Sequence, residues 1–470
     1  MTSHQIIVEF ITWFVLGYFM LLNGGYLFLS FLSIFRLHRH NQEQMLDDLP
    51  QFYSGLEPPI SMLVPAYNEE ATITASVLSM LQLSYPELEI VVINDGSRDG
   101  TLDVLKREFD LRPFPQALRI QLETKRVKAI YRSARYPNIK VIDKENGGKA
   151  DSLNAGINVS RYPLICGVDA DSILQRDSLQ RVVKPFLSDS TVIATGGTVR
   201  IANGCEVRDG FLTKVGLPRN IWALFQVVEY LRAFLFGRLG WSVINGMLII
   251  SGAFGVFKKE AVIAAGGYKT KTIGEDMELI VRMHRLFRSQ GKKYRIEFVP
   301  DPVCWTEAPE DYSTLKNQRI RWQRGLSESL VSNWGLMFSR NGGTPGWLAF
   351  PFMLLFEWMG PLVELAGYIF MIIAILSGWI SWQAFAAFLF VAIGLGILLS
   401  TSSLLLEEMA FHIYPKGKHL ALLALMVVVE NFGYRQLNSV WRLIGLYRWI
   451  SEKEGNWGVM KRKASWQNKS

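Results

Sequence analysis

The sequence predicts an α/β domain with a mainly parallel sheet, flanked by transmembrane α-helices. Three observations predict it. Long apolar runs lie near the start of the chain and toward its end. The roughly 280 residues between them, a length within reach of one domain, alternate short apolar stretches with turn residues and helical patterns. Acidic and glycine-rich clusters fall where those apolar stretches stop.

The elements follow in order. Ile6–Phe35 is long enough to cross a bilayer as a helix, and Arg36, His38, Arg39 and His40 follow at once, which predicts an N-terminus outside and a domain inside. Met1–Gln5 carries no Lys or Arg, so residues 1–40 read as a retained anchor rather than a cleaved signal peptide. Residues 41–340 read as the cytosolic domain. Ile60–Pro65 and Ile90–Asn94 are apolar strands, each followed by turn residues and a helical pattern, the grammar of βαβ units. Ligands of such sheets bind beyond the carboxyl ends of the strands.

Further on, Ile221–Phe236 mixes Trp, Phe and Leu with Glu229 and Arg232 and predicts an interfacial amphipathic helix. Trp241–Phe257 is apolar enough for a span. As a span it would put Asp276 and Gln318 across the membrane from Asp95 and Asp169, and its Asn245, Ser251 and glycines suit a buried wall instead. Residues 341–450 read as the second membrane region, with stretches at Trp347–Leu376, Trp382–Leu406 and His419–Ile444. Three clean spans would leave the basic tail, 451–470, outside, against the preference of positive charge for the inside. Either the first stretch crosses twice or the last, with Glu430, Asn431, Arg435 and Asn438, does not span cleanly.

Composition narrows the function. Three widely spaced cysteines, Cys166, Cys205 and Cys304, supply neither a disulfide framework nor a zinc site and suit a reducing compartment. A net charge of +8 would suit nucleic acid, nucleotide phosphates or anionic membrane lipids. The cations gather at membrane flanks and phosphate-binding segments, so nucleic acid is not called for.

Four polar groups carry the chemistry. The first is Tyr67-Asn68-Glu69-Glu70 after one strand, with Asn94-Asp95-Gly96-Ser97-Arg98-Asp99-Gly100 after the next; a carboxylate there can accept a base imide proton, and a plain turn would use the same residues. In the second, Asn146-Gly147-Gly148-Lys149, glycines admit a phosphate close to the backbone and Lys149 adds charge. The third ends an apolar strand with Asp169-Ala170-Asp171. Alternation puts both carboxylates on one face, where they repel unless a hard cation such as Mg²⁺ or Mn²⁺ lies between them. In the fourth, Gly274-Glu275-Asp276 opens an amphipathic segment, and Gln318-Arg319-Ile320-Arg321-Trp322 follows. If helical, Gln318, Arg321 and Trp322 share a face offering an amide, a forked cation and a flat ring for a sugar. The neighbouring Lys316, Arg319 and Arg324 would also suit a basic helix on the membrane surface.

Taken in order, these motifs resemble the processive family 2 glycosyltransferases, which include cellulose, hyaluronan, chitin and poly-N-acetylglucosamine synthases. The resemblance covers roughly residues 58–325 and the membrane flanks. It implies a GT-A-type, Rossmann-like nucleotide-sugar domain. Asp95 would hold the nucleobase, Asp169 and Asp171 the ribose, diphosphate and metal, and Asp276 would be the catalytic base. Gln318, Arg321 and Trp322 would hold the diphosphate and the acceptor sugar, and Ser251 and Gly252 resemble the loop lining the acceptor site. Asn68, Glu69 and Lys149 join the nucleotide-sugar set and Glu275 the acceptor set. Gly274 departs from the pattern, since many members carry Thr before the Glu-Asp pair.

The resemblance then implies inverting, metal-dependent transfer from a UDP-sugar to a saccharide acceptor, in a multi-pass protein of a bacterial plasma membrane with its catalytic domain in the cytoplasm. Glu357, Glu364, Glu430, Asn431 and Arg435 in the membrane stretches favour a processive synthase that also exports its polymer, because such groups face a bundle interior or a watery path. They would equally serve by pairing with one another. A synthase adding one or two sugars to diacylglycerol or polyprenyl phosphate would share the whole donor site. A non-catalytic scaffold or sensor would be expected to lack at least one of Asp95, Asp169, Asp171 and Asp276, and all four are present. The sequence names neither the sugar nor an accessory export subunit.

Overall fold

A computed structural model describes residues 3–47, 57–116, 119–208, 211–414 and 416–452, with the side chains of 41–47 and 302 outside the description. The basic tail beyond 452 therefore lies outside the described residues. The strands are β1 (Ile60–Ala66), β2 (Leu88–Asn94), β3 (Leu111–Pro113), β4 (Val127–Ser133), β5 (Ile139–Lys144), β6 (Leu164–Val168), β7 (Ile173–Leu174), β8 (Val192–Ile201), β9 (Glu206–Arg208), β10 (Phe211–Lys214), β11 (Phe254–Lys258) and β12 (Arg295–Thr306). Ten of them form one sheet in the order β3-β4-β5-β2-β1-β6-β11-β8-β12-β7.

Its centre, β5-β2-β1-β6, is parallel throughout. Ile60, Met62, Leu63, Val64 and Ile90–Ile93 are all buried, the near-continuous apolar run of strands covered on both faces. Because β1 pairs β2 on one side and β6 on the other, a topological switch lies at the carboxyl ends of these three strands. β11 runs antiparallel to β6 with Phe254 opposite Val168. That register carries the residues just before Phe254, Ser251 to Ala253, to the end of β6 where Asp169 follows.

Trp241–Phe257 is no single helix: Leu239–Val243 is a short helix, a loop follows, and β11 enters the sheet. Ile221–Leu231 is α-helical and passes into a π-helical turn, Arg232–Arg238. Its charges do not face water as an amphipathic surface helix requires. Glu229 meets Arg319 at 2.6 Å and Arg232 meets Glu430 at 2.5 Å.

Among the described residues two helices are long and apolar enough to cross a membrane, Ser3–His40 and Trp382–Phe411. Two further pairs, Pro345–Trp358 with Gly360–Leu376 and Gly417–Val429 with Tyr434–Ser451, are bent by 47° and 58°. Gly417–Val429 has 13 residues, about 20 Å of helix against a hydrocarbon core of about 30 Å. Tyr434–Ser451 instead lies against the Tyr312–Ser332 helix, so closely that a Cβ on Gly445 would come within 2.7 Å of the Ile320 carbonyl. The N-terminal helix is fastened to the domain: a Cβ on Gly240 would sit 2.6 Å from the Leu29 carbonyl, and His40 meets Asp301 at 2.8 Å.

Candidate active site

The carboxyl ends of β1, β2 and β6 open on a cavity of about 1580 Å³, and every candidate site residue named from the sequence lines it. Its floor is set by Asp95, which follows β2 and is buried. The Asp95 carboxylate accepts hydrogen bonds from Lys144 Nζ at 2.6 Å, Gly147 N at 2.9 Å, Gly148 N at 2.8 Å and Asn146 Nδ2 at 3.2 Å. A carboxylate has about four acceptor positions, so here all are taken by the chain itself. Asp95 holds the Asn146–Gly148 loop in shape. Gly148, at φ +85°, takes a backbone form that favours glycine, and a Cβ on Gly147 would collide with the Asp151 carboxylate at 2.6 Å.

Lys144 is fully buried between Asp95 and Asp151, at 2.6 Å from each. No local pattern signals this, because a lysine closing an apolar strand is ordinarily solvated. Asn68 and Glu69, after β1, brace the segment that follows Asp95 at the end of β2. Asn68 Oδ1 accepts the Arg98 amide at 2.9 Å, and the Glu69 amide donates to Thr101 Oγ1 at 2.9 Å.

Lys149 opens the helix that follows the loop and reaches Asp169 Oδ1 at 2.6 Å, the Gly252 carbonyl at 3.1 Å and Glu275 at 3.6 Å. Burial alone would depress its pKa; Asp169 and Glu275 outweigh it and hold the ammonium above its usual value. Burial pushes the Glu275 carboxyl up to about 7, with Lys149 opposing the rise and Asp276 adding to it. Asp276 sits in the first turn of the Glu275–Ser289 helix. Its Oδ2 accepts the Gly252 amide at 3.0 Å and its Oδ1 the Met277 amide at 2.8 Å, which fixes the carboxylate toward the Ser251–Gly252 loop.

Asp169 and Asp171 follow the end of β6 on the cavity wall. Among the described residues no third His, Cys, Asp or Glu completes a cluster around them. Two hard carboxylates fit Mg²⁺ or Mn²⁺, which retain waters and take further oxygens from substrate phosphates; they do not fit the closed N/S set of a structural zinc.

A further wall comes from the Tyr312–Ser332 helix, which carries Gln318, Arg321 and Trp322 to the cavity. Trp322 is 43% exposed, and the Arg319 guanidinium stands 4.4 Å from its ring centroid. Arg319 is buried against Glu229, and Arg324 is buried against Glu452 at 2.6 Å. These two cations are structural ties, not a basic membrane-facing surface. The helix bearing Trp322 meets the helix bearing Asp276 at a glycine pair, where a Cβ on Gly274 would fall 2.9 Å from the Gly325 Cα.

Membrane elements close the far side. Glu357 lines the cavity and binds the Tyr26 hydroxyl and, at 3.0 Å, Arg442, which also donates to Gln323 Oε1 at 2.8 Å. The other polar groups expected to face a path are engaged elsewhere: Glu364 with Ser439, Glu430 with Arg232 and Ser400, Arg435 with Asn431. Tyr26, Arg238 and Arg442, all lining the cavity, were not singled out by motif, since they reach it only through the packing of helices far apart in sequence.

Comparison with known proteins places this geometry. A model of glycosyl transferase family 2 matches residues 61–212, and one of glycosyl transferase family group 2 matches residues 164–399. The poly-beta-1,6-N-acetyl-D-glucosamine synthase of Staphylococcus epidermidis is 30% identical over 273 residues, covering 58% of this chain and 55% of that protein. The enzyme of the same name from Staphylococcus aureus strain COL is 30% identical over 274 residues, with the same coverage. The chain thus spans about half the length of these relatives. A solved structure, the mannosyltransferase PcManGT of Pyrobaculum calidifontis in complex with GDP-Man and Mn²⁺, covers 94% of this chain and 100% of its own, at 18% identity and a TM-score of 0.53. That likeness is one of fold.

Proposed function

Because the chain belongs to glycosyltransferase family 2, we propose that it transfers a sugar from a UDP-sugar to the end of a growing β-linked polysaccharide, inverting the anomeric carbon. The observation that carries the reading is that one cavity is lined by Lys149, Asp169 and Asp171, by Asp276, and by Arg321 and Trp322. Lys149 and Arg321, with a cation that Asp169 and Asp171 would hold, suit a diphosphate, Trp322 suits an acceptor sugar beside it, and Asp276 supplies a fixed carboxylate. The names of the staphylococcal relatives make N-acetylglucosamine the first donor to try.

In this reading Asp276 takes the proton of the acceptor hydroxyl as its oxygen bonds to the anomeric carbon. The bond from that carbon to the diphosphate oxygen breaks, and the pair of electrons leaves with the diphosphate. Gly252 N and Met277 N hold the carboxylate in place for this proton. Lys149 and Arg321 neutralise charge growing on the leaving group. Asp169 and Asp171 would hold Mg²⁺ or Mn²⁺, which when bound supplies further charge to the diphosphate. Asp95, with its carboxylate already occupied, acts by shaping the glycine loop around the nucleotide. Trp322, backed by Arg319, offers a face for the terminal sugar, and the same face serves each successive addition.

We place the protein in a bacterial plasma membrane as a multi-pass protein with the cavity on the cytoplasmic side. The test is incubation of detergent-purified protein with a panel of UDP-sugars and Mg²⁺ or Mn²⁺, followed by sizing of the product. Long β-linked chains are expected. Products limited to one or two sugars on a chloroform-soluble lipid would replace the polymer by a glycolipid.

A further inference from the structure

Arg238 ends the π-helical turn Arg232–Arg238 and lines the cavity. Wider turns of this kind re-aim the residues that follow and recur at functional sites. The guanidinium stacks on the Phe234 ring with 3.8 Å between them. Its Nη1 is enclosed and meets no hydrogen-bond acceptor among the described residues. It has no salt-bridge partner there either, unlike Arg232, Arg319 and Arg442, whose carboxylate partners stand within 3.0 Å. A buried donor left unmade carries the full cost of its lost water. Stacking on Phe234 does not relieve that cost, because the five N–H groups of a guanidinium point outward in its plane.

What is missing is an oxygen acceptor rather than a charge. The Asp276 carboxylate already acts favourably on the Arg238 cation, and the Glu229 carboxylate lines the same cavity. An anion placed here would meet both. The walls around Arg238 are Tyr230, Phe234 and Trp241, aromatic surfaces suited to the faces of a sugar ring. We propose that Arg238 is a specificity-determining residue of the acceptor site, whose guanidinium donates to an uncharged oxygen of the saccharide, a hydroxyl or an amide carbonyl, beside the hydroxyl that Asp276 deprotonates. The proposal rests on the reading of this cavity as a sugar-transfer site and adds to it a recognition element outside the family motifs.

The test separates donor from acceptor by binding to full-length protein in detergent. The probes are UDP with Mg²⁺ and, with UDP present, β-linked tetrasaccharides of glucose and of N-acetylglucosamine. Arg238→Met is expected to weaken the tetrasaccharide bound by wild type at least about tenfold, the scale of a charge-assisted hydrogen bond, with UDP affinity kept within about twofold. Arg238→Lys keeps the cation over Phe234 but loses the planar fork. It is expected to hold UDP normally and lose about threefold or more in tetrasaccharide affinity, so the test stands even if the Met variant does not fold. Tetrasaccharide affinity equal to wild type in Arg238→Met, or a loss of UDP affinity in Arg238→Lys, overturns the assignment. So does a dependence on Arg238 that appears with farnesyl phosphate in place of the tetrasaccharide, which would make the ligand a lipid phosphate. Wild-type protein that binds UDP but none of the tetrasaccharides sinks the Arg238 proposal alone; failure to bind UDP sinks the transferase reading with it.

Discussion

The two halves of the cavity are built on opposite principles. Around the glycine loop on the donor side the polar groups satisfy one another: Asp95 accepts from Lys144, Asn146, Gly147 and Gly148, and Lys149 holds Asp169. On the acceptor side Gln318 Oε1 and Arg238 Nη1 are enclosed without a hydrogen-bond partner among the described residues. A site whose donors and acceptors are already paired keeps its shape when empty, and one with unmade bonds is completed by its ligand. Under the proposed function, the difference would give rigidity to the half that receives the same nucleotide each cycle, and incompleteness to the half that would release and regrip a lengthening chain.

The first way to break this comparison is at its boundary. Asp276→Asn keeps the size of the side chain and an acceptor for one of the two backbone amides but cannot take a proton. Turnover is expected to fall by about two to four decades, the usual worth of a general base. UDP affinity should stay within about twofold, since the donor half holds itself together. Near-normal release of UDP from this variant would remove Asp276 from its role.

The second lies wholly on the donor side. Lys144→Met leaves Asp95 and Asp151 buried together without their shared cation. Removing one partner of a buried ion pair costs about 3–5 kcal/mol, and here the Gly147 and Gly148 amides lose their fixed acceptor as well. A steep drop in thermal midpoint together with weakened UDP binding is expected. A variant that melted normally and bound UDP normally would show that the loop does not depend on the buried triad.

The same division decides what was legible in the sequence. The donor half hangs on strand ends, and a strand end is visible as an apolar run meeting polar residues; Ile60–Pro65, Ile90–Asn94 and Leu164–Val168 all became strands of the parallel centre. Asp169 and Asp171 could therefore be placed from spacing alone. Lys144 could not, because nothing local distinguishes a lysine that will be enclosed by two acids from a later part of the fold. The acceptor half was half legible. Helical spacing put Gln318, Arg321 and Trp322 on one face, but Tyr26, Arg238, Glu357 and Arg442 arrive from membrane and interfacial segments whose packing no short pattern encodes. Glu229 and Arg232 misled for the same reason. Charges on an apolar helix suggest a water-facing side, and here they were spent on buried partners.

A third test separates stability from site chemistry by moving outside the cavity. Burial would raise the Asp301 carboxyl, but the His40 hydrogen bond and the Arg181 guanidinium outweigh it and hold it at about 2. The folded value lies below the unfolded one, about 3.9, so the bonded carboxylate stabilises the protein above pH 4 and loses that effect as pH falls through 2. The shift corresponds to about 2.5 kcal/mol at pH 6, roughly half of it gone by pH 3. Asp301→Asn should lower the thermal midpoint clearly at pH 6 and much less at pH 3, with UDP affinity unchanged at pH 6. An equal penalty at both pH values would mean that packing, not charge, fastens the N-terminal helix here.

The smallest effect, and the sharpest test of the division, concerns the contact between the two helices that carry the base and the acceptor face. Gly274 precedes the Glu275–Ser289 helix and touches Gly325 in the Tyr312–Ser332 helix, with 2.9 Å from an added Cβ at either position to the Cα of the other. Backbone atoms cannot step aside as a flexible side chain would, so a methyl group there must part the helices. The Thr that many family members carry before the Glu-Asp pair would need the same space. Gly274→Ala is expected to cost about 1–3 kcal/mol of stability, the range for overpacking. It should also shorten the polymer, because parting the helices moves Asp276 away from Trp322. Of the residues read as holding the diphosphate, Lys149, Asp169 and Asp171 lie off this seam and Arg321 alone lies on a helix that makes it, so UDP affinity is expected to stay within about twofold. Gly325→Ala should reproduce the effect, and the double variant should cost less than the sum of the two, since the first methyl already opens the gap for the second. Additive losses, or weakened UDP binding in either single variant, would mean that the seam supports the whole cavity and that the two halves are not independent.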